Sequence, residues 1–320
     1  MKIHNFNPGP AILPDVVKIE AARSVIDFNN KGVSILEMSH RAQDIMGIFD
    51  EATALVYEII GISENDYEVL WLQGGASAQL FMVPMNFLNK RETAAYIDTG
   101  YWGLKAIEAA QPFGKIEVIA SSKETGYDRI PKNYTVPRRA KYLYLISNNT
   151  IDGTQMHDFP EVQMPIVCDM TSDFMSRTIP LKNMGVMFSA AQKNIGSTGC
   201  TCVIIRKDMF DRKITRTIPK LLNYKTHIAA KSLYHTPPIF SVYLSLLTMR
   251  WIKQNGGLLG MEKCNAAKAK VLYDEIDTSA LFEGNVVKED RSDMNVCFRM
   301  KSPELESGFL KFAEQNGIMV

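Results

Sequence analysis

One lysine stands in a run of small residues between two apolar segments. The run covers residues 189–199 and contains Lys193, with residues 186–188 before it and residues 200–205 after it. Apolar and β-branched residues that continue without helical spacing predict two short buried strands, so we expect Lys193 at a strand end. Partial burial lowers the pKa of a lysine and makes its amine available for Schiff-base chemistry. On its own, the segment is also compatible with an ordinary solvated loop lysine.

A carboxylate is expected at the end of another buried strand. Residues 165–168 are mainly apolar, and Asp169 follows them directly. An unpaired buried charge is very costly, so Asp169 requires a nearby cation or hydrogen-bond donors. It is therefore a candidate partner for a positively charged group.

A glycine turn between a strand and a helix could bind an anion. The turn at residues 73–77 separates a predicted strand at 68–72 from a predicted helix at 78–88. The first amides of a helix have no partner within it, so Ala76 and Ser77 are candidate phosphate ligands. The spacing matches neither the G-x-G-x-x-G pattern of dinucleotide sites nor a P-loop.

A second unit of this kind follows, with a predicted strand at 94–97 and a predicted helix at 101–110. It places Trp102 at the carboxyl end of a strand, where open α/β sheets form their ligand crevice. A tryptophan of the core is the alternative interpretation. A further predicted strand, at 142–146, leads into a polar turn that contains Thr150.

His40 and Arg41 form a possible anion-binding pair. They precede a predicted amphipathic helix at residues 45–60. A guanidinium can bind a phosphate or carboxylate through two parallel hydrogen bonds. An ordinary surface arginine is the alternative interpretation.

Composition limits the classes of function. The 320 residues are 46% hydrophobic and 22% charged, with a net charge of +1, which is typical of a soluble globular protein. Such a balance gives no overall field to attract nucleic acid or a membrane surface. The five cysteines show no zinc-type spacing, and no apolar run is as long as a membrane span or a signal-peptide core. We therefore expect reduced thiols, no metal and a cytoplasmic protein.

The last part of the chain is predicted to form a second, smaller unit. Helices are predicted at 239–254 and 259–277, then a strand at 296–298, a helix at 304–315 and a turn that enters a strand at 317–320. The predicted organisation is an extended N-terminal segment at 1–15 that packs with the small domain, a large domain at 16–258 and a small α+β domain at 259–320.

Together, Lys193, Asp169, Trp102 and the glycine turn are the groups needed to hold pyridoxal 5'-phosphate: an amine, a carboxylate for the ring nitrogen, a stacking surface and amides for the phosphate. The chain resembles the phosphoserine aminotransferases, a family of class V, fold type I pyridoxal-phosphate enzymes. The resemblance covers essentially the whole chain and rests on these segments: Asn5-Phe6-Asn7-Pro8-Gly9-Pro10-Ala11, Ser39-His40-Arg41, Gly74-Gly75-Ala76-Ser77, Asp98-Thr99-Gly100-Tyr101-Trp102, Asn149-Thr150-Ile151-Asp152-Gly153, Ala191-Gln192-Lys193-Asn194-Ile195-Gly196, His235-Thr236-Pro237-Pro238 and Arg291-Ser292-Asp293-Met294-Asn295.

The resemblance implies a role for each candidate residue. Lys193 would bond covalently to the cofactor and move a proton during catalysis, and Asp169 would keep the ring nitrogen protonated. Trp102 would stack on the ring, and Thr150 would bond near its phenolic oxygen. The cofactor phosphate would be bound by Ala76, Ser77 and Gln192 and, from the partner subunit of a homodimer with shared active sites, by His235 and Thr236.

The resemblance also implies the reaction. L-glutamate would donate its amino group and leave as 2-oxoglutarate, and 3-phosphohydroxypyruvate would become O-phospho-L-serine. His40 and Arg41 would recognise the carboxylate and phosphate ends of these substrates. The activity would serve serine biosynthesis, and the resemblance permits a second role in pyridoxine biosynthesis.

The implied fold has a large domain, with a mainly parallel seven-stranded sheet between helices, and a small α+β C-terminal domain. Family members continue beyond the equivalent of Val320 into a segment whose arginine binds the substrate carboxylate. We therefore expect an incomplete small domain, and cofactor binding is better supported than turnover. The alternatives are an alanine-glyoxylate type aminotransferase, a catalytically impaired cofactor-binding form and a non-catalytic binding protein. A cysteine desulfurase is disfavoured because neither Cys264 nor Cys297 is predicted to lie on a mobile loop.

Overall fold

The computed structural model describes residues 3–319. Its elements, apart from short 3-10 helices, are β1 (His4–Asn5), α1 (Asp15–Ile26), α2 (Gln43–Ile60), β2 (Tyr67–Leu72), α3 (Gly75–Phe87), β3 (Thr93–Asp98), α4 (Tyr101–Ala110), β4 (Lys115–Ser121), β5 (Ala140–Ile146), β6 (Ile166–Asp169), β7 (Met184–Ala190), β8 (Thr201–Arg206), α5 (Tyr224–Ala229), α6 (Ile239–Gln254), α7 (Gly257–Thr278), β9 (Phe282–Gly284), β10 (Phe298–Met300), α8 (Glu306–Gln315) and β11 (Ile318–Met319).

The centre of the molecule is a seven-stranded sheet in the order β2-β8-β7-β6-β5-β3-β4. Only β8 runs antiparallel to its neighbours, and the other strands all point the same way. The mainly parallel seven-stranded sheet predicted above is therefore confirmed. Because of this topology, the carboxyl ends of β2, β3, β5, β6 and β7 meet at one edge of the sheet, where open α/β sheets bind their ligands.

Both faces of the sheet are covered, which explains the continuous apolar runs in the sequence. Every residue of β3, β6 and β7 is buried. Successive residues of a strand point to opposite faces, so Trp71 belongs to one core cluster and Leu70 to the other. Helices α1, α2 and α6 pack together on the side of Trp71, whereas α3 and α4 pack on the side of Leu70.

The C-terminal unit is built from α7, α8 and the antiparallel pair β9 and β10. Phe282, Phe298 and Phe309 pack edge to face in it, with ring centroids 5.2 to 6.3 Å apart. The N-terminal segment joins this unit, because β1 pairs in parallel with β11. No helix in residues 3–319 has the length and apolar character needed to cross a membrane.

Some predicted boundaries differ from the structure. Helix α3 begins at Gly75, three residues before the predicted start, because Gly74 adopts a φ of 97° that lets the chain turn directly into the helix. The strand expected at 296–298 is found at Phe298–Met300. The strand predicted to begin near the C-terminus is present as β11, and Val320 lies outside the described residues.

The burial of Phe188 in the sheet allows its contribution to stability to be predicted. Phe188 is fully buried in the central strand β7. Replacing it with alanine leaves a cavity that the surrounding strands cannot close, so we expect Phe188→Ala to lower the free energy of unfolding by about 3–5 kcal/mol. Urea denaturation measures the change. Val271→Ala on the exposed surface of α7, where the side chain is 70% exposed, is the control and should change it by no more than about 0.5 kcal/mol.

Candidate active site

Lys193 lies in the loop between β7 and β8, at the edge where the parallel strands end. Its side chain is half-buried, and its Nζ donates a hydrogen bond to Oγ1 of Thr150 in the loop that follows β5. The N-terminal segment covers this loop: the Ala11 N–H donates to the Gln192 carbonyl (2.8 Å). A Cβ at Gly9 would lie 2.9 Å from Cε of Lys193, so only glycine fits against the lysine stem without a shift.

Asp169 is the last residue of β6, and it is only 5% exposed. The backbone N–H and the hydroxyl of Thr171 both donate to its Oδ1, at 2.9 and 2.6 Å. Within the described residues no hydrogen bond to Oδ2 is present, so this oxygen can accept one from a ligand. Burial raises the pKa of Asp169 to about 6, although the bonds from Thr171 and the charge of Lys193 oppose the rise.

The structure brings Lys193 and Asp169 into the same site. Each is close enough to act electrostatically on the other: the ammonium lowers the pKa of Asp169, and the carboxylate raises that of Lys193. Burial outweighs the attraction and lowers the pKa of Lys193 to about 8. The unprotonated fraction of the amine near neutral pH is therefore much larger than in an ordinary lysine, and the unprotonated form is the one that acts as a nucleophile.

The start of α3 presents free amides at the same edge of the sheet. The first helical hydrogen bond runs from the Ala78 N–H to the Gly74 carbonyl (3.2 Å). The N–H groups of Gly75, Ala76 and Ser77 therefore have no acceptor within the helix. Ser77 is exposed, and α3 has 13 residues, so its dipole and free amides favour an anion at this end.

Trp102 is the second residue of α4 and follows the carboxyl end of β3. Its ring is 37% exposed and meets the ring of Tyr101 edge to face at 5.1 Å. The turn that carries Thr150 packs closely against the start of this helix. The contact is so close that a Cβ added at Gly100 would lie 2.1 Å from Oδ2 of Asp152. The positions of Trp102 and Thr150 are therefore linked.

A second group of predicted residues lies beside the glycine turn. His235 is half-buried, and its ring lies 5.7 Å from that of His227. Burial lowers the pKa of His235, and the charges of His227 and His40 lower it further. The Gln73 side chain donates to the Thr236 carbonyl (3.2 Å). Within residues 3–319 no hydrogen bond or ion pair connects this group directly to Lys193 or Asp169. The assignment of His235 and Thr236 to a partner's site stays a prediction.

Arg41 lies just before α2 with an exposed side chain. Its backbone N–H donates to the Ser39 hydroxyl (3.2 Å). In the part of the chain that the structure describes, its guanidinium forms no ion pair. It is therefore available to bind an anion from solution.

The sequence analysis missed two residues that shape the site. Thr171 could have been found, because an Asp that bonds to the residue two positions later forms a recognised turn. Gly9 lies far from Lys193 along the chain, and no local pattern reveals their contact. The described residues contain no group of three or more His, Cys, Asp and Glu side chains arranged to hold a metal ion.

Comparisons with known proteins show the family to which the chain belongs. The family model described as Aminotransferase class-V matches residues 3–320. The chain belongs to this family. It is 46% identical to the phosphoserine aminotransferase of Flavobacterium psychrophilum over 318 residues, which are 99% of this chain and 89% of the relative. It is 47% identical to that of Phocaeicola vulgatus, over 100% of this chain and 89% of the relative.

Solved structures of this class V family superpose closely on the chain. A phosphoserine aminotransferase from Bacillus circulans subsp. alkalophilus has a TM-score of 0.95 at 41% identity, covering 99% of this chain and 88% of that one. A PLP-bound phosphoserine aminotransferase from Trichomonas vaginalis has a TM-score of 0.94 at 31% identity, covering 100% of this chain and 91% of that one. The mainly parallel sheet and its helices are thus those of fold type I aminotransferases.

The lowered pKa of Lys193 can be tested in the cofactor-free protein. Only the neutral amine reacts with acetic anhydride, so acetylation of Lys193 should reach half its maximum near pH 8. Lys105 is the comparison lysine, because its hydrogen bond to Glu108 raises its pKa above the ordinary value. Peptide mass spectrometry measures both residues in the same sample. A Lys193 midpoint as high as that of Lys105 would contradict the electrostatic account of the site.

Proposed function

We propose that this chain is a pyridoxal-phosphate-dependent phosphoserine aminotransferase. It transfers the amino group of L-glutamate to 3-phosphohydroxypyruvate and releases O-phospho-L-serine and 2-oxoglutarate. The observation that carries the proposal is the convergence of the Lys193 amine and the buried Asp169 carboxylate at the strand ends. It occurs in a chain that is 44–47% identical, over nearly its whole length, to several proteins named phosphoserine aminotransferase.

The residues at the strand ends fit pyridoxal phosphate. When bound, this cofactor supplies an aldehyde carbon that bonds to amines and a conjugated ring that accepts electrons. Asp169 offers an unused carboxylate oxygen to the ring nitrogen, and the free amides at the start of α3 suit the phosphate. Trp102 offers a partly exposed ring for stacking.

Asp169 keeps a proton on the ring nitrogen. With a pKa of about 6 the carboxyl is mainly ionised at neutral pH, and a positively charged ring nitrogen beside it stabilises that state further. Thr171 fixes Oδ1 through two hydrogen bonds, so the carboxylate cannot rotate freely. With the cofactor bound, Asp169 would compensate the charge of the ring nitrogen and so hold the ring in its electron-accepting form.

Lys193 acts first as a nucleophile and then as a base. Its neutral amine would hold the cofactor by bonding to the aldehyde carbon, and once freed it would carry a proton from and back to the substrate during transfer. A group with a pKa of about 8 suits both directions at neutral pH. The hydroxyl of Thr150 accepts a hydrogen bond from this amine and so orients it, and with the cofactor bound it would also bond near the phenolic oxygen of the ring.

Anion recognition is assigned to the surrounding loops. Ala76, Ser77 and Gln192 bind the cofactor phosphate, together with His235 and Thr236 of the second subunit in a homodimer with shared active sites. His40 and the exposed Arg41 bind the carboxylate or phosphate end of either substrate, because both anions present paired oxygens to the guanidinium. We place the enzyme in the cytoplasm, in serine biosynthesis, with pyridoxine biosynthesis as a second route that the same chemistry permits.

An alanine-glyoxylate type aminotransferase has less support. A solved structure of that name from Nostoc sp. has a TM-score of 0.76 at only 16% identity, which shows a shared fold and no more. A coupled assay of glutamate with 3-phosphohydroxypyruvate, run beside alanine with glyoxylate, distinguishes the two activities. Turnover of the phosphorylated pair is expected, and the absence of any turnover would favour a catalytically impaired form.

The covalent role of Lys193 can be tested directly. We expect the wild-type protein with pyridoxal phosphate to show a visible absorption band and to retain the cofactor on Lys193 after borohydride reduction. Lys193→Ala should lose both the band and the trapped label, because Lys193 is the amine whose charge acts on Asp169. Lys105→Ala, an exposed lysine of α4, is the control. A wild-type protein with no band would favour the non-catalytic binding protein.

The role of Arg41 makes a different prediction. We expect Arg41→Ala to raise KM for both glutamate and 3-phosphohydroxypyruvate by about tenfold or more, which is the loss of one charge-assisted hydrogen-bonded pair. The cofactor affinity should stay unchanged. Arg23→Ala on the exposed face of α1 is the matched control. Loss of bound cofactor in Arg41→Ala would show that Arg41 binds the cofactor and would contradict its assignment to substrate binding.

A further inference from the structure

A second buried carboxylate lies behind Asp169, and the proposed chemistry does not use it. Asp173 is 1% exposed and forms an ion pair with Arg177, whose NH2 lies 3.2 Å from its Oδ2. The Gln155 side chain donates to the same oxygen (3.2 Å), and the Ser147 hydroxyl donates to Oδ1. A buried carboxylate with donors on both oxygens is held in one orientation.

Asp173 is connected to Asp169 through Ser147. The Ser147 N–H donates to the Asp169 carbonyl (3.0 Å), while the Ser147 hydroxyl bonds to the Asp173 carboxylate. The Asp173 N–H donates to the carbonyl of Met170, the residue after Asp169 (3.1 Å). The carboxyl end of β6, which carries Asp169, is thus fixed to the end of β5, which leads to Thr150.

The same network extends into the C-terminal part of the chain. The Asn148 amide donates to the Ser172 hydroxyl (2.8 Å) and to Oδ1 of Asn295 (2.7 Å), and its oxygen accepts from the Ser292 hydroxyl (2.5 Å). The oxygen of the Gln155 side chain accepts from the Asp293 N–H (3.1 Å). Hydrogen bonds therefore join three segments next to Asp169: the loop after β5, the loop after β6 and residues 292–295.

We propose that Asp173 is a positioning residue for the transamination site: it fixes the Asp169 carboxylate relative to Thr150 and Lys193, and so sets how the cofactor ring is held. This inference rests on the proposed function. A pair of apolar residues could replace the Asp173–Arg177 ion pair at similar stability. The charge of Asp173 also raises the pKa of Asp169, which opposes the role of that residue. In return, the Asp173 carboxylate accepts directed hydrogen bonds from Ser147, Gln155 and Arg177, and these fix the backbone that carries Asp169.

The variant Asp173→Asn keeps the shape of the side chain but removes the charge that pairs with Arg177. With the amide oxygen toward Arg177 and Gln155, the NH2 group faces the Ser147 hydroxyl, which can then no longer donate to residue 173. We expect the dissociation constant for pyridoxal phosphate to rise about tenfold, the value of one hydrogen bond to a charged group. The visible circular dichroism of the bound cofactor should decrease, because the ring is held in more than one orientation. With saturating cofactor, kcat should fall while KM for both substrates changes little, since Asp173 does not touch substrate.

Asp274→Asn is the matched control. Asp274 forms an ion pair with Lys270, four residues earlier in the same helix, as Asp173 does with Arg177, four residues later, but both side chains are more than 60% exposed (64% and 72%). This control should match the wild type in every measurement. Wild-type affinity and a wild-type dichroism spectrum in Asp173→Asn would overturn the proposal and leave Asp173 with a purely structural role.

Ser147→Ala decides the question if Asp173→Asn does not fold. It removes the hydroxyl that joins the Asp173 carboxylate to the Asp169 strand end but keeps the ion pair with Arg177. We expect changes in the same direction, about threefold in the dissociation constant. Unchanged cofactor affinity and dichroism in this variant would overturn the proposal. A wild-type protein that traps no cofactor with borohydride would instead overturn the proposed function itself.

Discussion

The site depends on the burial of two opposite charges, Lys193 and Asp169, at one edge of one sheet. Neither charge could be taken out of water alone without a large cost in free energy. Each therefore needs the other, or a ligand, as a partner. The sheet makes this possible because its parallel strands end together, so residues far apart along the chain are brought to the same place.

Burial has the larger effect on both groups. It lowers the pKa of Lys193 to about 8 and raises that of Asp169 to about 6, in each case against the attraction of the opposite charge. A tight, solvated ion pair would shift both pKa values the other way and leave an inert ammonium. The site instead keeps an amine that can react near neutral pH and a carboxylate that gains most from a cationic ring placed beside it.

The sequence was sufficient to predict the elements that carry Lys193, Asp169 and Trp102. Long apolar runs bounded by small or polar residues define strand ends, and in a parallel sheet strand ends are where ligands bind. Local patterns could not reveal Gly9 against the lysine stem or the bonds around Asp173, since these depend on contacts between distant segments. Helix α3 begins earlier than the sequence predicts, because consecutive glycines are typical of a turn rather than of a helix start.

The pairing of β1 with β11 connects the two ends of the described chain to the reactive amine. Asn5 is held by β11, and only a few residues further on Gly9 rests on the lysine stem. A chain adds at most about 3.6 Å per residue when fully extended, so the four residues from Asn5 to Gly9 can span no more than about 14 Å. The contact that Gly9 makes with Lys193 therefore depends on where the β1–β11 pair lies, and a change that displaces this pair would also affect the surroundings of the amine.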